Sequence, residues 1–146
     1  MRRATWLLGG SCVCQLACGA TPKSTSWTTP ELEPASLGAG EKQLTIDLAL
    51  APSLDTPGGA ARIRLPDRDL DILVVRAGEK EFKALAGQCA HAGRPLSYVA
   101  TRRLLQCNNF GHSLFDLGGA LVKGPAERSL KSYAVVLRDG CLRITL

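Results

Sequence analysis

The sequence predicts an all-β fold, an antiparallel sandwich or small barrel, and three observations predict it. Leu44, Ile46, Leu48 and Leu50 alternate with Thr45, Asp47 and Ala49. A period of two places the larger aliphatic side chains on one side of an extended chain, as in a half-buried strand. Further along, residues 133–138 and 141–146 flank Asp139-Gly140. Asp-Gly reaches the positive φ angles of a type I′ turn, so the two runs read as a hairpin. Finally, no segment carries apolar residues at the 3.6-residue period for long enough to form an amphipathic helix.

The remaining elements follow in order. Residues 61–65, 69–76 and 81–86 are short runs separated by the turn formers Pro66-Asp67 and Gly78, and they read as three more strands. In the closing hairpin Tyr133, Val135 and Leu137 can share one face. Cys141 falls in the last strand, where it is expected to be a buried structural thiol.

A chain of 146 residues has room for one domain. Its hydrophobic fraction is 45% but its aromatic fraction only 5%, so the core must be built from Leu, Val, Ile and Ala. The net charge of +5 is scattered along the chain, with no aromatic-rich RNA-reading motif beside it. No nucleic-acid partner is expected.

Residues 1–20 have the layout of a secretory or lipoprotein signal. Met1-Arg2-Arg3 precedes an uncharged stretch from Ala4 to Ala17, and small residues follow through Cys18-Gly19-Ala20. The apolar stretch has 14 residues, short of the roughly 20 needed to span a bilayer as a helix. Arg2-Arg3 resembles a twin-arginine pair, and Leu16-Ala17-Cys18-Gly19 resembles a lipoprotein processing site. Two outcomes stay open: lipidation of Cys18 as a membrane tether, or cleavage near Ala20 to release a soluble form. Either places the protein outside the cytoplasm, in a periplasm or on a membrane surface. Residues 21–43, rich in Pro, Ser, Thr and Gly, read as a flexible linker, and residues 44–146 as the folded domain.

Of the 6 cysteines, Cys12, Cys14 and Cys18 lie in the signal-like stretch, leaving Cys89, Cys107 and Cys141. An odd set argues against a pure disulfide framework. The chain has only 2 histidines, and each stands close to one of the two central cysteines. Cys89-Ala90-His91 is one pair, and Cys107 with His112 is the other, in the run Cys107-Asn108-Asn109-Phe110-Gly111-His112. Thiolate and imidazole together are donors for iron or zinc. A one-residue Cys–His spacer is unusual for structural zinc, which favours C-x2-4-C knuckles.

This arrangement resembles the Rieske family, in which each of two loops supplies one cysteine and one histidine. The likeness continues through Gly111 and Ser113-Leu114-Phe115-Asp116, the turn at Gly118-Gly119, and Gly124-Pro125-Ala126 in the place of a cluster-shielding proline loop. It covers about residues 44–146. It implies a cluster-binding subdomain and a [2Fe–2S] cluster on Cys89, His91, Cys107 and His112. It also implies one-electron transfer without a substrate site, and a redox partner protein or oxidoreductase subunit. The second loop departs from the family, with C-x4-H where C-x2-H is usual and Phe110 at the histidine's place. Either the loop is rearranged so that His112 ligates, with Gly111 giving the backbone freedom, or the site has lost a ligand. Phe115 stands where high-potential members have a tyrosine, and Arg94 and Asn109 where they have a disulfide, which implies a lower potential. Because such clusters are generally assembled in the cytoplasm, export of a folded, loaded domain agrees with a twin-arginine pair. Two other functions fit less of the sequence: a cytoplasmic ferredoxin component of a Rieske oxygenase, and a cluster-free or zinc-bound binding module.

Overall fold

The stretch Ile72-Leu73-Val74-Val75 is apolar at both parities, so a strand formed there must be covered on both faces. The computed structural model describes residues 29–33, 37–91, 93–108 and 112–146. The signal-like stretch with Cys12, Cys14 and Cys18 lies outside the described residues, as do Asn109, Phe110 and Gly111. The described residues form only strands, turns and single 3-10 turns. Their strands are β1 (Leu37–Ala39), β2 (Gln43–Asp47), β3 (Ala60–Leu65), β4 (Leu70–Arg76), β5 (Phe82–Ala86), β6 (Leu96–Val99), β7 (Leu104–Cys107), β8 (Leu114–Phe115), β9 (Leu121–Lys123), β10 (Ser132–Arg138) and β11 (Cys141–Thr145).

These strands make two antiparallel sheets, ordered β1-β2-β11-β10-β5-β4-β3 and β6-β7-β8-β9. The large sheet curls around one core that includes Leu44, Ile46, Ile63, Ile72, Val74 and Ile144. The opposite parity of the same strands, Ala60, Leu73, Val75 and Leu85, packs against Leu96, Leu105 and Phe115 of the small sheet. The predicted all-β class is therefore observed. The small sheet is an insertion between β5 and β10 that covers the outer face of β4.

The hairpin stands as expected: β10 and β11 pair from Ala134↔Thr145 to Arg138↔Cys141. Asp139 and Gly140 have φ of 51° and 75°, both left-handed, as a type I′ turn requires. Tyr133, Val135 and Leu137 all lean on the inner core.

Three local expectations differ. The strand read through Leu50 stops at Asp47, whose Oδ1 accepts from the Ala49 N–H at 3.0 Å and caps a 3-10 turn over Leu48–Leu50. This local side-chain bond replaces the sheet ladder, and it leaves Leu50 exposed. Cys141 is half-buried rather than buried, because β11 begins there and turns it to the sheet margin. The stretch read as linker, residues 21–43, has structure among its described residues: β1 pairs with β2, Leu32 is buried, the Leu32 N–H donates to the Arg62 carbonyl and the Arg62 N–H to the Pro30 carbonyl. A single buried leucine in a polar stretch carries no periodicity by which to recognise it.

Glycine at 124 is required by close approach. Its φ is 117°, and a Cβ there would collide with Ser113, whose backbone nitrogen would lie 2.9 Å away. That contact lets the turn after β9 lie flat on the start of β8, where the Ala126 N–H donates to Ser113 Oγ at 3.1 Å. Gly124→Ala is expected to destabilise the fold by at least about 2 kcal/mol, read as a lower denaturant midpoint. On β10, burial pushes the Tyr133 phenol above its ordinary value, and the negative charge of Asp71 adds to the shift. The neutral phenol is thus favoured in the folded state. Its contribution is complete below about pH 10 and fades as pH rises through the raised value. Denaturation at about pH 9 and about pH 11 should show Tyr133→Phe losing less stability over that interval than the native chain.

Candidate metal centre

The two loops bearing the Cys–His pairs leave the same end of the small sheet. Residues 87–95 join β5 to β6, and residues 108–113 join β7 to β8. Antiparallel pairing of β6 with β7 sets Leu96 opposite Cys107, so the start of β6 and the end of β7 meet at one edge. The first loop closes on itself: the Cys89 N–H donates to the Arg94 carbonyl at 2.7 Å, and the Gly93 N–H to the Cys89 carbonyl at 2.9 Å. The second is closed by the Cys107 N–H donating to the Ser113 carbonyl at 2.9 Å.

These closures bring Cys89, His91 and Cys107 together. The two thiol sulfurs and a ring nitrogen of His91 lie within 4.8 Å of one another, and Cys89 Sγ is 3.1 Å from His91 Nδ1. Cys89 is 2% exposed and Cys107 fully buried, both in the core between the sheets, whereas His91 is at the surface. His112 is not in that group. With φ of 42° it turns its Nδ1 to the Cys107 carbonyl at 3.2 Å and to Gln106 Nε2 at 3.3 Å, and it is also exposed.

Ser113 is fully buried, and its Oγ accepts from the proline loop, so its hydroxyl hydrogen is still available to a sulfur. Phe115 is fully buried in the inter-sheet core and offers no such donor. Arg94 is exposed at the tip of the first loop.

Sequence reading missed what ties the loops to each other. The Asn108 N–H donates to the Pro95 carbonyl at 3.2 Å, and its Nδ2 donates to Ser97 Oγ at 3.1 Å. An asparagine directly after a candidate ligand cysteine is a usable signal, since Asn readily bonds nearby backbone and hydroxyl groups. A cleft of about 320 Å³ opens beside His91, walled by Ala90, Pro125, Glu127 and Arg128.

The donor chemistry fits an iron–sulfur centre: two thiols inside, the His91 imidazole at the rim, and both cysteines free of disulfides. Comparisons with known proteins agree. The profile of the Rieske [2Fe-2S] domain matches residues 47–134. The cytochrome b6-f complex iron-sulfur subunit of Chlorobaculum tepidum is 26% identical over 100 residues, covering 68% of this chain and 54% of that one. The chain thus spans about half the length of this curated relative. Among solved structures, the plasma-membrane Rieske protein PetC3 of Synechocystis PCC 6803 shares the fold with a TM-score of 0.52 at 22% identity, over 58% of this chain and 84% of that one. The ferredoxin of carbazole 1,9a-dioxygenase from Nocardioides aromaticivorans IC177 does so at 0.53 and 22%, over 64% and 91%. With a family profile spanning both ligand loops and the fold around them, the chain belongs to the Rieske [2Fe–2S] family, whose cluster carries single electrons.

Proposed function

We propose that Cys89, His91, Cys107 and His112 hold the cluster, and that the protein is an exported one-electron carrier serving a partner oxidoreductase. The observation that carries this reading is the division of the donors, with both thiols buried and both imidazoles exposed. In a Rieske centre one iron takes two cysteines and the other two histidines. The cluster, when bound, supplies a one-electron couple of higher potential than a four-cysteine cluster, because neutral imidazoles replace anionic thiolates.

The chain's own residues orient that couple. Cys89 and Cys107 are fixed by core packing, and His91 borders the cleft between the first loop and the proline loop, where a partner can approach it. His112 would join the set by giving up its Nδ1 contact for iron: that nitrogen either accepts from Gln106 Nε2 or donates to the Cys107 carbonyl, and the one bond it makes is worth about 0.5–1.5 kcal/mol. The signal-like layout of residues 1–20 supports export, with release or a Cys18 lipid tether as its two forms, over a cytoplasmic ferredoxin. That the relative in Chlorobaculum tepidum is a subunit of a cytochrome complex supports a redox partner. Phe115 lacks a hydroxyl and Arg94 stands in place of a loop-linking cysteine, so the potential should lie below that of quinol-oxidising members.

Metal analysis with EPR tests the assignment. The purified chain should be red-brown and, when reduced, give the signal of a mixed Cys/His [2Fe–2S] centre; a colourless, zinc-loaded protein would refute it. Cys89→Ser should abolish the signal. His112→Ala should lose or alter it, and an unaltered full cluster in that variant would remove His112 from the ligand set. In protein-film voltammetry the midpoint should fall below those of respiratory quinol-oxidising Rieske proteins, and one at or above them counts against the roles given to Phe115 and Arg94.

A further inference from the structure

β3 places Ala61 and Ile63 in the inner core, so Ala60 and Arg62 face the small sheet. An arginine there is unexpected on burial grounds, since a buried guanidinium is tolerated only when paired and hydrogen-bonded. The Arg62 side chain is 7% exposed, and its partners are specific. Nη2 lies 2.5 Å from Asp71 Oδ2 and donates to the Gly87 carbonyl at 3.0 Å, while Nη1 donates to the Leu96 carbonyl at 3.2 Å.

Gly87 and Leu96 are the two ends of the first ligand loop. They are already joined by the Leu96 N–H donating to the Gly87 carbonyl at 2.8 Å, and the Gly87 N–H is bound to the Asp71 carbonyl at 2.8 Å. Gly87 approaches Asp71 so closely that a Cβ would overlap its carboxylate. One planar, charged fork therefore spans the neck of the loop that carries Cys89 and His91. Arg62 is itself held from both sides, by β4 and by backbone bonds to Pro30 and Leu32. Arg62 Nε and Asp71 Oδ1 find no hydrogen-bond partner among the described residues. Their residues line a cleft of about 290 Å³ behind the loop, together with Gln88, Gly93 and Pro95.

We infer that Arg62, paired with Asp71, is a positioning residue that clamps the neck of the first ligand loop and so sets where Cys89 and His91 stand relative to Cys107. The inference rests on the assignment of those three residues as ligands. Among the described residues Arg62 is the side chain that bonds both ends of the loop at once, and a neutral or shorter side chain at 62 would leave two carbonyls and a carboxylate without their shared donor.

The test compares Arg62→Gln with Arg68→Gln, which loses the same charge from a half-buried arginine, remote in sequence from the loop, bonded to the Gly40 and Glu41 carbonyls. In the metal-free chain, Arg62→Gln should speed amide hydrogen exchange at Leu96 and through residues 88–95 by at least about tenfold, with the β10–β11 hairpin unchanged. In the iron-loaded chain its EPR signal should broaden or shift in g-values, and Arg68→Gln should match the native chain in both readouts. If Arg62→Gln does not fold, Arg62→Lys decides in the same way, because it keeps the charge against Asp71 but cannot bridge two carbonyls. Unchanged loop exchange with an unchanged spectrum overturns the clamp, as does acceleration spread equally over the hairpin. The exchange measurement needs no cluster, so a native chain that fails to bind iron would refute the ligand assignment and leave the clamp to be judged by exchange.

Discussion

Strand β4 meets water on neither face of its centre, and this constraint organises the molecule. Ile72 and Val74 point into the curl of the large sheet, while Leu73 and Val75 point the other way. Burying an aliphatic side chain of this size contributes about 1.5–3 kcal/mol, so a second layer over Leu73 and Val75 is strongly favoured. The small sheet is that layer. Because Cys89 and Cys107 are among the buried side chains of this layer, the two thiols belong to the packing of the domain. The centre is thus held by the same burial that holds the fold.

Among the described residues three buried polar ones interrupt this apolar layer, and each lies at one of the two Cys–His loops. Arg62 spans the neck of the first loop, Ser113 closes the second and receives the proline loop, and Ser97 engages Asn108 between them. Hydrogen bonds take the place of a covalent cross-link between the loops. Individually each adds only about 0.5–1.5 kcal/mol, but away from water the cost of leaving any of them unmade is larger, so the set is satisfied together or fails together. A supporting shell of this kind pre-organises ligand side chains instead of leaving them to the metal.

The outward side is built differently. His91 and His112 are exposed, the cleft beside His91 carries the charges of Glu127 and Arg128, and His112 Nδ1 lies against Gln106 and the Cys107 carbonyl at the end of β7. Interior packing fixes the thiols; the imidazoles are held by contacts with near neighbours in sequence, His91 with Cys89 and His112 with Gln106 and Cys107. A centre built on these residues would have a dry sulfur side and a histidine side open to water.

Much of this was legible in the residues alone. Period-two alternation marked β2, β3, β10 and β11, and Asp139-Gly140 set their hairpin, because turn chemistry and sheet pleat are local properties of the chain. The pairing of each central cysteine with a histidine singled out candidate donors for the same reason, and three of them, Cys89, His91 and Cys107, stand together in the fold. What the residues could not state is which donors converge. Cys89, His91 and Cys107 meet because β6 and β7 pair in one register, whereas the four-residue spacing to His112 leaves its direction to loop geometry. Nor could the sequence reveal the role of Arg62, which reads as an ordinary strand charge until β3, β4 and the loop are stacked. Leu32 likewise joins the core only once β3 offers it an edge. Local periodicity and ligand chemistry were determined by the sequence itself; convergence, burial and the clamp were decided by long-range pairing, since each depends on contacts between segments far apart along the chain.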